Sequence, residues 1–173
     1  MYNSLQGLSC KWFIILDECK EFTLSTCFGS TVKIIIKQSK KKGCWCGSLK
    51  NEGLEQIKFG WVYVLDDDNI LHPSFINLIW FYIDFYGPLK KQAFVFDQLL
   101  PDGTIRTANY DVIKMNHIDQ AQYLVHHELI GNLRYDENLY QDDGLFIETL
   151  HYSNPEKFMV INETMCYYNK LRS

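Results

Sequence analysis

The stretch Trp61-Val62-Tyr63-Val64-Leu65-Asp66-Asp67-Asp68-Asn69 decides how this chain is read. An apolar, β-branched and aromatic run, the composition of a buried strand, stops abruptly in three consecutive carboxylates. Folding has no use for three adjacent like charges, which raise each other's cost of ionisation. Hard oxygen ligands with a spacer between them, placed where a strand ends, suit a divalent ion that also holds phosphates. The competing reading is a polar turn leading into the helix that begins near Pro73, since Asp and Asn favour turns and caps.

Working outward, the flanks alternate between strand and helix. Lys11 to Leu16 and Thr31 to Lys37 are continuous apolar runs of the kind a parallel sheet buries on both faces. Ser48 to Lys58 carries its apolar residues at helical spacing and stops at Gly60, where the Gly60–Leu65 strand begins. Pro73 suits a first helical turn, and Ser74 to Tyr86 reads as a very apolar helix closed by Gly87-Pro88. Its aromatic series Phe75, Trp80, Phe81, Phe85 and Tyr86 is expected in the core. Pro101-Asp102-Gly103, between Ala93–Phe96 and Thr104–Thr107, marks a hairpin. A strand is expected near Asp111 to Asn116, a helix over Gly144 to Tyr152, and two short strands around Phe158–Ile161 and Met165–Tyr168. There is no internal repeat, low-complexity stretch or linker. Together these predict one α/β domain, parallel in its front half and mixed in its back half.

Composition narrows the function classes. The chain has 173 residues, 47% hydrophobic and 15% aromatic, enough to fill a core. Its 17 basic and 21 acidic residues give a net charge of −4, which excludes a nucleic-acid coat. Lys40 to Lys42 form the tight basic cluster, either a solvated loop or a local phosphate attractor. No apolar stretch has the roughly 20 residues of a membrane span, and Met1 starts no leader pattern. The six cysteines lack paired metal or redox spacing, Cys44-Trp45-Cys46 included, so free thiols and a cytoplasmic location are expected. His117, His126, His127 and His151 show no ligand spacing, and the adjacent pair would face opposite sides of a strand.

In α/β sheets ligands sit beyond the carboxyl ends of the strands. Two strands here finish in acid, Leu16 into Asp17-Glu18 and Leu65 into the triplet, so both acidic ends should share a sheet edge. A second acidic constellation is Tyr140-Gln141-Asp142-Asp143-Gly144-Leu145-Phe146. It is either a helix N-cap or a general base for an acceptor hydroxyl.

With both acidic sites in view, the chain resembles the GT-A glycosyltransferases, particularly the family 2 type. Lys50-Asn51-Glu52-Gly53-Leu54-Glu55-Gln56-Ile57 followed by Gly60 to Asn69 looks like that family's helix leading into its Asp-x-Asp strand, here in an Asp-Asp-Asp-Asn form. Gln141 to Phe146 resembles its acidic motif before a helix, and Glu163 to Asn169 its closing strand. The resemblance covers about residues 1 to 170. It implies a nucleotide-diphospho-sugar transferase fold with a mostly parallel central sheet flanked by helices. Residues 1–70 would form the nucleotide and metal half and 71–173 the acceptor half of a single domain.

The same resemblance implies roles. Asp17 would contact the nucleotide base or ribose, and Lys50 would lie near the donor phosphates. Asp66 and Asp67 would approach the ribose and metal-bound waters, and Asp68, with Asp66, would ligate Mn²⁺ or Mg²⁺. The base would be Asp142 if Leu145-Phe146 anchors the motif, or Asp143 if Gly144 does. The implied reaction is metal-dependent, inverting transfer of a sugar from a nucleotide-diphosphate donor to a glycan or other hydroxyl acceptor. One departure stands out: Met1 to Leu5 looks like the end of the helix after the family's first strand, so that strand is expected to be missing. A non-catalytic glycosyltransferase-like domain that binds a glycan or partner is the alternative. A metal phosphohydrolase using Asp66 and Asp68 as a nucleophile pair is a third, weaker reading.

Overall fold

The computed structural model describes residues 11–16, 33–38 and 47–169. Asp17, Lys40 to Lys42, the Cys44-Trp45-Cys46 run and the chain start, and with them the missing-strand expectation, lie outside the described residues. Strands β1 (Lys11–Leu16) and β2 (Lys33–Gln38) pair in parallel, as their continuous apolar runs predict. Helix α1 (Gly47–Glu55) follows and lies against β1.

The main sheet is built from β3 (Trp61–Tyr63), β4 (Ile70–Leu71), β5 (Ala93–Leu99), β6 (Ile105–Arg106), β7 (Tyr123–His126) and β8 (Phe158–Tyr167). Its order is β3-β7-β5-β8-β4, with β6 paired to β5. β5 and β8 are parallel, while β7 runs antiparallel to both β3 and β5, and β4 antiparallel to β8. The α/β class is therefore as expected, with the described sheet mixed in direction.

β5 is the central strand, and residues 93 to 96 are fully buried on both faces. Ala93 and Val95 face one apolar cluster with Leu54 of α1 and Phe146, Ile147 and Leu150 of α4 (Asp142–Ser153). Phe94 and Phe96 face a second cluster with Phe75 and Ile79 of α2 (Phe75–Tyr86). The period-2 alternation of a strand thus sandwiches the sheet between helices.

Several local expectations are corrected. Asp111 to Asn116 is not a strand: Asn109 caps a 3₁₀ turn over Tyr110–Val112, accepting from the Asp111 and Val112 amides. The two C-terminal strands are one, β8, whose register against β5 shifts around Asp97. There the Asp97 carboxylate leaves the ladder logic and accepts from the Ala108 amide at 2.6 Å. β7 was not anticipated; it ends at His126, and His127 already opens the short helix α3 (His127–Ile130). Of the aromatic series, Phe75 is buried but Trp80, Phe81 and Phe85 are exposed. A helix with only Asn77 and Asp84 among its polar residues has too many apolar side chains for one face, so the excess points to solvent.

The hairpin is found where expected, with Gly103 at φ 85° and the Leu100 amide donating to the Thr104 carbonyl at 2.9 Å. Among the described residues Cys166 is a buried, unbridged thiol, and no helix is long and apolar enough to cross a membrane.

Candidate functional site

The aspartate triplet lies in the turn between β3 and β4, closed by an Asn69 amide bond to the Asp66 carbonyl at 3.3 Å. Asp67 points outward, while Asp68 and Asn69 are buried. Asn69 Oδ1 accepts from the Asn169 amide at 2.8 Å, which fastens the turn to the end of the chain's last strand. Asp66 is half-buried, and its Oδ1 accepts a hydrogen bond from Gln120 Nε2. Burial pushes the Asp66 carboxyl up to about 6; Asp119 and Asp68 push the same way, against Gln120 and the Lys50 charge.

The second acidic motif opens α4. Asp143 Oδ1 accepts from the Gly144 amide at 2.8 Å and its Oδ2 from the Gln120 amide at 3.1 Å. Both of its oxygens therefore serve the backbone. Asp142 is 3% exposed; Lys50 Nζ lies 2.7 Å from its Oδ1, and its Oδ2 has no hydrogen-bond partner. Lys50 also stands 4.9 Å from the centroid of the Tyr135 ring. Asn51, next on α1, takes the Tyr135 amide at 2.8 Å and returns a bond to the Tyr135 carbonyl at 3.0 Å. Tyr135 stacks on Phe146 at 4.1 Å, so α1, the loop before α4 and α4 itself are locked together.

Gln120 joins the two motifs, its side chain holding Asp66 and its amide holding Asp143. It sits in a 3₁₀ turn, Gln120–Gln122, with a capping box between Asp119 and Gln122. The turn is pinned from several sides. Gln98 Nε2 donates to Asp119 Oδ1 at 3.1 Å, and Gln122 Nε2 to the Phe96 and Arg106 carbonyls, both at 3.1 Å. The Tyr63 hydroxyl donates to the Ala121 carbonyl at 2.9 Å. Burial raises the Asp119 carboxyl as well, with the Asp143 charge adding to it.

The structure thus brings Lys50, Asp66, Asp142 and Asp143 into one place, with Asp68 beside them in the turn. Lys50 is engaged with Asp142. The Asp-x-x-Gln pattern at Asp119 was a legible capping-box cue for the turn; nothing local in the sequence ties Gln120 to Asp66. Among the described residues no group of three or more His, Cys, Asp or Glu side chains is arranged to hold an ion. The carboxylates that the sequence reading assigns to an ion are Asp66 and Asp68 of the β3–β4 turn. That fits a hard divalent ion whose remaining ligands are substrate phosphates and water.

No protein-family model and no curated protein matches the chain. Solved structures do. The crystal structure of Staphylococcus aureus TarS 1-349 in complex with UDP-GlcNAc superposes with a TM-score of 0.75 at 14% identity, over 96% of this chain and 53% of that one. TarS 1-349 in complex with UDP gives 0.72 at 13% identity, over 96% and 54%. A further TarS structure gives 0.70 at 15%, over 95% of this chain and 33% of that one. The chain spans about half the length of the 1-349 structures, and it has their GT-A-like fold.

Proposed function

We propose that the chain carries the centre of a metal-dependent, inverting glycosyltransferase that moves a sugar from a nucleotide-diphosphate donor to a hydroxyl acceptor. One observation carries the reading: the Gln120 turn draws the triplet's Asp66 and the acid pair before α4 into a single site. Support also comes from fold neighbours described in complex with UDP-GlcNAc and UDP, at an identity that speaks for fold alone.

In this reading the nucleotide and metal half runs to about residue 70 and the acceptor half follows. Asp66 and Asp68 would hold Mn²⁺ or Mg²⁺, with Asp67 at the exposed edge near the ribose and metal-bound waters. When bound, the ion supplies positive charge where the leaving nucleoside diphosphate becomes negative. Asp142 is the better base, because Asp143 spends both oxygens on backbone amides while Asp142 keeps Oδ2 unpaired. The acceptor oxygen attacks the anomeric carbon as the bond to the diphosphate breaks on the opposite face. Its proton passes to Asp142. Lys50 fixes the other Asp142 oxygen and keeps a positive charge near Asp66.

The test is heat stabilisation by UDP, GDP and their sugars with and without Mn²⁺, followed by assay of nucleoside diphosphate release with candidate glycan acceptors. Stabilisation by one nucleotide sugar with acceptor-dependent release supports the reading. No stabilisation by any donor rejects it. A non-catalytic glycan- or partner-binding domain is the second reading, favoured by the near-complete burial of Asp142 in its ion pair. It predicts binding with no release under any condition.

A further inference from the structure

Gln120 has more hydrogen-bonding capacity than the fold uses. A glutamine carboxamide carries an acceptor oxygen and a donor nitrogen. Nε2 is spent on Asp66 and the main-chain amide on Asp143, yet Oε1 is buried with no partner although Gln120 is only 3% exposed. Rotating the amide offers no escape, because it would set the oxygen against the Asp66 carboxylate, acceptor against acceptor. Nor can the backbone shift to find a partner: the turn is held by Gln98, by the Tyr63 hydroxyl and by both Gln122 carbonyl contacts. A rigidly held acceptor without a donor, next to the carboxylate at the centre of the site, is what a pre-formed ligand contact looks like before its ligand arrives.

We infer that Gln120 reads a hydroxyl of the bound nucleotide sugar, its Oε1 accepting from that hydroxyl while its Nε2 keeps Asp66 in place. The inference rests on the nucleotide-sugar reading of the site. The ligand group must be a donor, so Oε1 itself does not take a diphosphate oxygen, which is also an acceptor. Both the ribose and the transferred sugar offer hydroxyl donors, and the test separates them.

The full chain, with Mn²⁺ present, is titrated calorimetrically with UDP, 2′-deoxy-UDP and 3′-deoxy-UDP, and with UDP-GlcNAc and its 3- and 4-deoxy-sugar analogues. In the wild type, loss of the hydroxyl that Gln120 reads weakens binding by about tenfold. In Gln120→Met, which keeps the side chain's length and removes both polar atoms, the parent ligand and that analogue bind equally. Loss in the UDP series places the contact on the ribose, and loss in the sugar series alone places it on the transferred sugar. A purely structural role for Gln120 would weaken parent and analogue alike and leave their ratio unchanged, which overturns the inference. Gln120→Asn, one methylene shorter, is the second variant should Gln120→Met not fold, with the same expected loss of discrimination. Wild-type protein that binds none of these ligands rejects the nucleotide-sugar reading itself, a result distinct from discrimination that survives in both variants.

Discussion

Lys50 Nζ and Asp142 Oδ1 lie 2.7 Å apart across 92 positions of sequence, with both side chains almost out of solvent. A buried pair is weak evidence of net stabilisation, but breaking one side of it is expensive because the survivor keeps its charge in a poor solvent. Lys50→Met is expected to cost about 3 kcal/mol in urea unfolding, and the Lys50→Met, Asp142→Asn double variant to recover a good part of it. Additive losses would mean that the two groups do not feel each other.

Asp142→Asn separates binding from chemistry. The variant keeps shape and removes the proposed base, so turnover should fall by about a hundredfold or more while donor affinity stays within a few fold. Asp143→Asn should behave differently, since its oxygens hold the Gln120 and Gly144 amides. It loosens the bracket, lowers the melting temperature and weakens donor binding along with rate. An Asp142→Asn variant with unchanged turnover would remove this residue from the proposed mechanism.

Asp66 should make the metal-free protein's stability depend on pH in a specific direction. Its carboxyl is raised from 3.8 to about 6 in the fold, chiefly by burial. A raised folded value means the contribution is fully present below 3.8 and is lost as pH rises through about 6. Asp66→Asn removes the buried charge, so it should be more stable than the wild type by about 3 kcal/mol at pH 8 and nearly equal to it at pH 4. Donor binding should be lost at the same time. A wild type and variant that track each other from pH 4 to 8 would contradict the burial of this charge.

Gly47 marks a close approach that tolerates no side chain. A Cβ there would stand 2.7 Å from the Asp136 carbonyl oxygen and 2.9 Å from Asp142 Oδ2. The first of these is backbone and cannot swing aside. Gly47→Ala is expected to cost about 1–3 kcal/mol and to depress turnover by displacing the proposed base, Asp142, readable from thermal unfolding beside a rate assay. Full stability and activity in this variant would show that α1 can back away from α4.

Much of the fold was legible because its cues are local. Apolar runs gave β1 and β2, the Pro-Asp-Gly turn gave the β5–β6 hairpin, and the acid-capped apolar segment gave α4 within two residues. The misreadings have equally physical causes. Asp111 to Asn116 has a strand-like composition, but Asn109 offers its side chain to the two amides that follow and winds the segment into a turn. β7 is short and flanked by Gln and His, so its period is lost in the noise, although the sheet needs it between β3 and β5. Trp80, Phe81 and Phe85 read as core by type, yet only one side of α2 meets the sheet.

The chemistry on offer could be read along the chain: an apolar run ahead of Asp66-Asp67-Asp68, though its strand is shorter than the composition suggests and ends at Tyr63 with only Val62 buried, an acid pair opening a helix, and an α/β alternation that puts strand ends where ligands bind. Those properties follow from side-chain type and from neighbours within a turn or two. Which of these groups meet is a matter of packing. Lys50 reaches Asp142 across 92 positions and Gln120 reaches Asp66 across 54, because strand order and direction, not sequence distance, carry the start of the β3–β4 turn, the Gln120 turn before β7 and the start of α4 to the same end of the strands. The same packing leaves Gln120 Oε1 buried and without a donor, a condition no periodicity or composition could reveal, since it depends on what every neighbouring group has already bonded.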